Sequence, residues 1–245
     1  WPGKTVVRAE GVFGYEGNRT KVVDLPGTYS LQAVSVDEEV ARDFILFGRP
    51  DVTVVVVDAT RLERNLNLVL QILEITDRVV VFLNLMDEAR RNGIALDPSR
   101  LESKLGVPVV TGTAREGIGI SDLLEAVHEV ATGRRKTSPY RVQKHAPDIE
   151  AVVSELAPIV STAFPDVPNT RWVSLRLLNA DEAVQEAVRS GELGQLNRDD
   201  SGEVISDTPE PERARVLDAA TRLRWELPAD FQDIVTARSY ARAEA

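Results

Sequence analysis

The sequence lacks or is poor in several residue types that would signal particular functions. Its 245 residues include no cysteine and two histidines, and aromatic residues make up 5% of it. Without cysteine, neither disulfides nor thiolate metal sites can form. The longest unbroken apolar run, Val79–Leu83, is far shorter than the roughly 20 residues of a membrane-spanning helix. A net charge of −10 argues against a nucleic-acid partner, which requires a basic face.

The first half of the chain alternates between strand and helix patterns. A hairpin is predicted from strands over 5–15 and 20–23, since Glu16-Gly17-Asn18-Arg19 is a turn signal. Further strands are predicted at 51–57, 79–83 and 107–111, and helices at 37–47, 62–75, 98–105 and 120–131. This alternation predicts an α/β fold, a mostly parallel sheet with helices on both faces and one antiparallel hairpin at its edge.

The composition changes after a polar, basic linker at 133–139. Beyond it strand patterns nearly vanish. Helices are predicted at 148–162, 170–178, 181–190, 212–226 and 231–242. We therefore predict an α/β domain over 1–135 and a small all-helical domain over 139–245. Because the chain begins with Trp1 and its only methionine is Met86, we interpret it as part of a longer protein.

Three short polar segments follow predicted strands in a fixed order. They are Asp24-Leu25-Pro26-Gly27, Asn84-Leu85-Met86-Asp87 and Thr113-Ala114-Arg115. Open α/β sheets bind ligands at the edge where such loops lie. Each segment alone has an ordinary interpretation: a turn, a helix cap and a loop of small residues. The ordered set is typical of a GTP-binding domain.

Each segment has a chemical role in this interpretation. The Asp24 carboxylate can reach Mg²⁺ through water, and the Gly27 N–H can approach a terminal phosphate because no side chain obstructs it. The Asp87 carboxylate can accept from the ring N–H and the exocyclic amine of guanine, a donor pair that adenine lacks. Asn84 would tie neighbouring loops together, and the Ala114 N–H would donate to the guanine carbonyl oxygen.

Gly3-Lys4-Thr5 imitates the end of a phosphate-binding loop. Only 20 positions separate Lys4 from Asp24, too few for the helix, loop and strand that follow such a loop. We therefore assign Thr5 to a segment that closes over Mg²⁺ and the terminal phosphate. The alternative is a β-branched residue opening an edge strand. The candidate nucleotide-binding residues of this segment are Gly3, Lys4, Thr5, Val6 and Val7.

Four segments carry a resemblance to a known family. They are residues 1–6 (Trp-Pro-Gly-Lys-Thr-Val), 24–31 (Asp-Leu-Pro-Gly-Thr-Tyr-Ser-Leu), 58–66 (Asp-Ala-Thr-Arg-Leu-Glu-Arg-Asn-Leu) and 84–89 (Asn-Leu-Met-Asp-Glu-Ala). In these the chain resembles the cytosolic GTPase region of the bacterial and archaeal ferrous-iron transporter B family, a Ras-like domain of the P-loop class. The helical tail is similar to that family's second cytosolic domain, which is thought to modulate nucleotide release.

The resemblance implies GTP or GDP with Mg²⁺ and K⁺ as cofactors. Many GTPases place a water-orienting Gln just after the Asp-x-x-Gly segment, whereas Thr28 stands there in this chain, so hydrolysis should be slow. The family's phosphate-binding loop and first strand are absent from the sequence as given, and we therefore expect it to bind GTP weakly or not at all. The gap left by that strand is also a stability liability.

The family context further implies a place at the cytoplasmic face of the cell membrane. There the chain would gate Fe²⁺ uptake through its own membrane domain. Small cytosolic iron-transport accessory proteins and a second copy of the chain are further partners that the resemblance leaves open.

Two other functions stay open at the sequence level. One is a degenerate, nucleotide-free GTPase fold that acts as an interaction module. The other is a GTPase of translation or ribosome assembly, against which the acidic charge weighs. The sequence offers no convincing iron ligands, since a site without cysteine would need carboxylates alone.

Overall fold

A computed structural model describes residues 9–28, 31, 36–48, 50–139, 147–167, 169–193, 208–228 and 231. The chain forms two compact units. The first comprises Trp1–Phe44, Asp51–Ile72 and Arg78–Pro139, and the second Ile45–Pro50, Leu73–Asp77 and Tyr140–Ala245. The candidate residues Gly3, Lys4, Thr5, Val6 and Val7 and nearly all of the helix predicted at 231–242 lie outside the described residues.

The first unit opens with the hairpin of β1 (Ala9–Tyr15) and β2 (Asn18–Asp24). Glu16 and Gly17 have φ of 48° and 76°, and two positive φ values at the turn suit the right-handed twist of the strands. Among the described residues this hairpin is a two-stranded sheet of its own, whereas the sequence pattern placed it at the edge of the parallel sheet. The physical reason is that no described strand other than β1 pairs with β2, so nothing described connects the two ladders. α1 (Val36–Phe47) follows.

The parallel sheet has three strands in the order β3 (Thr53–Asp58), β4 (Val79–Asn84) and β5 (Val109–Thr111). β4 is central, and its residues Val79–Leu83 are at most 2% exposed, as a continuous apolar run in a parallel sheet predicts. The ladder pairs Asp58 with Asn84 and Leu83 with Thr111. The carboxyl ends of all three strands therefore meet at one edge. The helices that connect and follow the strands are α2 (Leu62–Ile75), α3 (Met86–Arg91), α4 (Pro98–Leu105) and α5 (Ile120–Ala131).

One face of this sheet is covered unequally across its strands, because the register pairs the exposed Val54 of β3 with Val80 of β4 on the face that α5 covers. Val80 of β4 packs with Ala126 and Val130 of α5, which buries the amphipathic face of that helix. On β3, Val54 and Val56 are 38% and 59% exposed. β3 therefore presents an apolar stripe at the edge of the described sheet.

The second unit contains four described helices: α6 (Pro147–Ala163), α7 (Thr170–Leu178), α8 (Glu182–Ser190) and α9 (Glu210–Arg224). Its core is apolar and includes Leu156, Val173, Val184 and Leu223, each fully buried. Asn169 caps α7 by accepting from the Trp172 N–H at 3.1 Å, and its Nδ2 donates to the Glu74 carbonyl at 2.5 Å. Across the described residues of both units, no helix combines the length and apolarity needed to cross a bilayer.

Candidate functional site

The loops after β4 and β5 are joined at the carboxyl edge of the sheet. Asn84, the last residue of β4, accepts a hydrogen bond on Oδ1 from the Ala114 N–H at 2.9 Å. The Met86 N–H donates to the Gly112 carbonyl at 3.2 Å, and the Gly112 N–H donates to the Leu83 carbonyl at 2.9 Å. These bonds bring the second and third of the sequence-predicted segments together.

Leu85 turns the chain between Asn84 and the next helix. Its φ of 62° and ψ of 34° lie in the left-handed region, which costs a residue with a β-carbon on the order of 1 kcal/mol or more. The turn lets α3 begin at Met86, directly after the strand. Asp87, in the first turn of α3, therefore lies at the same edge as Asn84.

Asp87 lies at the centre of the joined loops. Its Oδ2 accepts from Arg91 Nη2 at 2.6 Å and from Arg115 Nη2 at 3.1 Å, and its Oδ1 lies 3.4 Å from Thr113 Oγ1. Burial opposes ionisation of this carboxyl, but the Glu88 backbone N–H and the charges of Arg91 and Arg115 hold its pKa below the ordinary 3.8. The side chain is 24% exposed, so an ionised carboxylate is presented within reach of solvent.

Gly112 and Gly119 shape the second loop. A β-carbon at Gly112 would lie 2.5 Å from both the Ile118 carbonyl oxygen and the Phe82 ring, and one at Gly119, where φ is +81°, would lie 2.3 Å from the Thr111 oxygen. The Thr113 N–H donates to the Ile118 carbonyl at 3.1 Å, which closes the loop. The available signal was the spacing of glycines around Thr113, which is typical of a tight loop.

An open cleft of about 420 Å³ lies beside these loops. Its walls include Asp58 and Thr60 after β3, and Asn84 and Leu85 after β4. Asp58 Oδ1 accepts from the Thr60 N–H at 2.8 Å and from its hydroxyl at 2.7 Å, so this aspartate supports its own turn. No such role for Asp58 follows from the sequence pattern.

Asp24, Gly27 and Thr28 follow β2. Asp24 and Gly27 are exposed and Thr28 is half-buried, and Leu25 and Pro26 between them are half-buried as well. Among the described residues, no hydrogen bond joins Asp24 or Gly27 to the loops around Asp87. A β-carbon at Gly27 would meet nothing within 4 Å. Contacts within the described chain therefore do not require glycine at this position.

The side chains at the end of β2 suit Mg²⁺ only where a nucleotide supplies further ligands. No cluster of three or more acidic or histidine side chains suited to a metal occurs in the described part of the chain. Mg²⁺ is commonly held by one or two carboxylates, water and the phosphates of a nucleotide. Asp24 fits such a metal–nucleotide complex, and Thr5 lies outside the described residues.

Comparison with known families decides what the chain is related to. The model of "Ferrous iron transport protein B" matches residues 1–127, and that of "FeoB cytosolic helical domain" matches residues 145–245. The chain belongs to the FeoB family. The resemblance found in the sequence is thereby confirmed, and so is the fold class of an α/β G domain followed by helices.

FeoB relatives match along most of the chain. The Fe(2+) transporter FeoB of Salmonella typhimurium is 32% identical over 96% of this chain and 30% of its own length. The Fe(2+) transporter FeoB of Methanocaldococcus jannaschii is 42% identical over 79% of this chain and 28% of its own length. The crystal structure of the cytosolic domain of T. maritima FeoB in GDP form II superposes with a TM-score of 0.65, with 30% identity, over 97% of this chain and 87% of that one. This chain thus spans less than a third of the length of these transporters.

Proposed function

We propose that the chain is the guanine-nucleotide-binding module of a ferrous iron transporter. The observation that carries this is the convergence of Asn84, Asp87, Thr113, Ala114 and Arg115 at one edge of the parallel sheet, around an ionised carboxylate. Two FeoB relatives are named Fe(2+) transporters, and a related cytosolic domain is described in a GDP form.

Base recognition is the step that the described residues support in most detail. The Asp87 carboxylate would accept from the guanine ring N–H and its exocyclic amine, two donors that a carboxylate can satisfy together. The Ala114 N–H, which now donates to Asn84 Oδ1, would be shared with or transferred to the guanine carbonyl oxygen. Leu85 and Met86 complete the loop around the base. Adenine lacks this donor pair, so it would displace an arginine from Asp87 without replacing its hydrogen bond, which disfavours its binding.

Phosphate binding and hydrolysis would involve the residues after β2. Asp24 would hold Mg²⁺ through water, Gly27 would donate its N–H to the terminal phosphate, and Thr28 would occupy the position where the attacking water is oriented. Mg²⁺ would supply charge stabilisation on the phosphates, with Thr5 as a further ligand and K⁺ as a second cation. Without a glutamine at the position of Thr28, hydrolysis would be slow.

The module would act at the cytoplasmic face of the cell membrane. We propose a G domain over 1–135 and a helical regulatory domain over 139–245, which together gate Fe²⁺ uptake through a membrane domain. Small cytosolic accessory proteins and a second copy of the chain are further candidate partners. Order and disorder of the segment after Gly27, on gain and loss of the terminal phosphate, would be the switch.

The substitution Asp87→Asn tests the base assignment. An asparagine offers one acceptor and one donor, which suits xanthine, whose carbonyl replaces the exocyclic amine of guanine. We expect GDP affinity to fall about tenfold or more, because a charged hydrogen bond is lost, and affinity for xanthosine diphosphate to rise. Amide NMR shifts at millimolar nucleotide measure both, with Asp97→Asn at the start of α4 as the matched control. An unchanged preference for GDP would refute the assignment.

A further inference from the structure

Arg91, one turn along α3 from Asp87, is held against the same residue by two of its nitrogens. Its Nη2 donates to Asp87 Oδ2 at 2.6 Å, and its Nε lies 3.4 Å from the Asp87 carbonyl oxygen. The spacing of four residues places both side chains on one helix face, with the acid on the N-terminal side, as such pairs prefer. No role for Arg91 follows from the three sequence segments.

The oxygen that Arg91 contacts is already shared. Arg115 Nη2 donates to the same Oδ2 at 3.1 Å, so both lone pairs of that atom are engaged. The other oxygen, Oδ1, has a long 3.4 Å contact from the Thr113 hydroxyl, and the Glu88 backbone N–H also donates to this carboxylate. A guanine base presents two parallel donors and needs an acceptor site on each oxygen, so it must take one from an arginine.

We propose that Arg91 is an internal competitor of guanine, whose guanidinium occupies the Asp87 oxygen that the base must reach. The inference rests on the proposed function, because it gives Asp87 the role of binding the base. Arg91 is the stronger competitor, because its contact is shorter and comes from the same helix. Arg115 lies on the neighbouring loop and also contacts Glu116 at 3.7 Å, which divides its charge.

The competition sets affinity rather than specificity. The Arg91 side chain is 64% exposed, and exposed ion pairs are weak enough to be displaced by a ligand. Because guanine must displace Arg91 to bind, the Arg91–Asp87 ion pair would lower the affinity for guanine nucleotides to a modest degree and speed their release. Base choice would stay with Asp87, whose two acceptors are the same before and after displacement.

The test compares Arg91→Gln with Arg90→Gln in this chain. Both substitutions remove one positive charge from neighbouring positions of α3, so long-range attraction for the nucleotide phosphates changes equally. Arg90 is exposed and has no assigned part in the site. GDP is titrated against each ¹⁵N-labelled protein, with ADP as the base control, and the amide shifts of Asp87 and Ala114 are followed.

We expect Arg91→Gln to bind GDP about two- to fivefold more tightly than Arg90→Gln, as the strength of an exposed pair predicts. Arg91→Lys, which keeps the charge but lacks the guanidinium fork, should fall between them. Equal or weaker GDP binding by Arg91→Gln, with GDP still preferred over ADP, would overturn the competition and leave the proposed function standing. No preference for GDP over ADP in any of the proteins would overturn the proposed function and the competition with it.

Discussion

Asn84 and Ala114, which lie 30 residues apart in the chain, are joined by a 2.9 Å hydrogen bond between a side-chain oxygen and a backbone N–H. This bond connects the ends of two neighbouring strands of the parallel sheet. It places the second and third sequence segments on one surface, where Asp87 contacts both Arg115 of the third segment and Arg91 of α3.

Substitution Asn84→Ala should loosen the loop after β5. The Ala114 N–H would lose its protein acceptor, and the free energy of unfolding should fall by about 1 kcal/mol. Hydrogen exchange at the Ala114 amide should accelerate, and urea unfolding measures the stability. Asn65→Ala on α2 is the control, since that half-buried side chain donates locally, to the carbonyl of Arg61 just before the helix, at 2.8 Å. Unchanged exchange at Ala114 would show that the bond does not form in solution.

Gly112→Ala should destabilise the first unit. The new β-carbon would lie 2.5 Å from the Ile118 oxygen and from the Phe82 ring, and overpacking of this kind costs about 1–3 kcal/mol. Gly14→Ala in β1 is the matched control, because a β-carbon there meets nothing within 4 Å. Urea unfolding of both variants checks the prediction, and equal stabilities would contradict it.

The titration of Asp87 should depend on its arginines. Burial alone would raise its pKa, but the Glu88 N–H, Arg91 and Arg115 together lower it from 3.8. Because the folded pKa lies below the unfolded one, the ion pairs stabilise the fold above the unfolded pKa. That contribution is lost as the pH falls through the folded pKa. Carboxyl ¹³C NMR should therefore find a titration midpoint for Asp87 below pH 3.8. The midpoint should be higher in the Arg115→Gln variant. An identical midpoint in that variant would contradict the contact between Arg115 and Asp87.

Asn169→Ala should destabilise the second unit more than a simple cap substitution does. Asn169 accepts from the Trp172 N–H and donates to the Glu74 carbonyl, so two bonds are lost, at a cost of about 1–2 kcal/mol. Asp97→Ala removes one exposed cap bond from α4, to Arg100 at 2.9 Å, and is the comparison. Helical circular dichroism during urea unfolding compares the two variants, because α4 belongs to the first unit and α7 to the second, and the fluorescence of Trp172, which is buried at 7% exposure, follows the second unit. Equal losses in the two variants would show that the Glu74 bond contributes nothing.

Val56→Thr should reduce self-association without a loss of stability. Val56 is 59% exposed on β3, and among the described residues β3 pairs only with β4. Exposed apolar strands at a sheet edge promote association. Light scattering at increasing protein concentration measures the effect. Val55→Thr is the contrasting variant, because Val55 is 4% exposed and its substitution should destabilise the fold. Unchanged scattering by Val56→Thr would exclude this stripe as the source of association.

Several elements followed from local sequence alone. The pattern predicted helices over 62–75, 98–105, 120–131 and 170–178. The structure places α2, α4, α5 and α7 at the same bounds. Local chemistry accounts for α4, where Asp97 caps the helix, Pro98 occupies its first position and Gly106 ends it at a φ of 72°. α3 was not predicted as an element, because six residues are too few for a periodic pattern.

What the sequence determined by itself was the identity and order of the three candidate segments, because residue type and spacing are local properties and the family resemblance depends on them. What only the tertiary structure decided was their contacts: the bond from Ala114 to Asn84, the pairing of Asp87 with Arg115, and the hairpin's separate ladder. Contacts between distant residues depend on strand order, register and the turn at Leu85, and these are set by the packing of the whole unit.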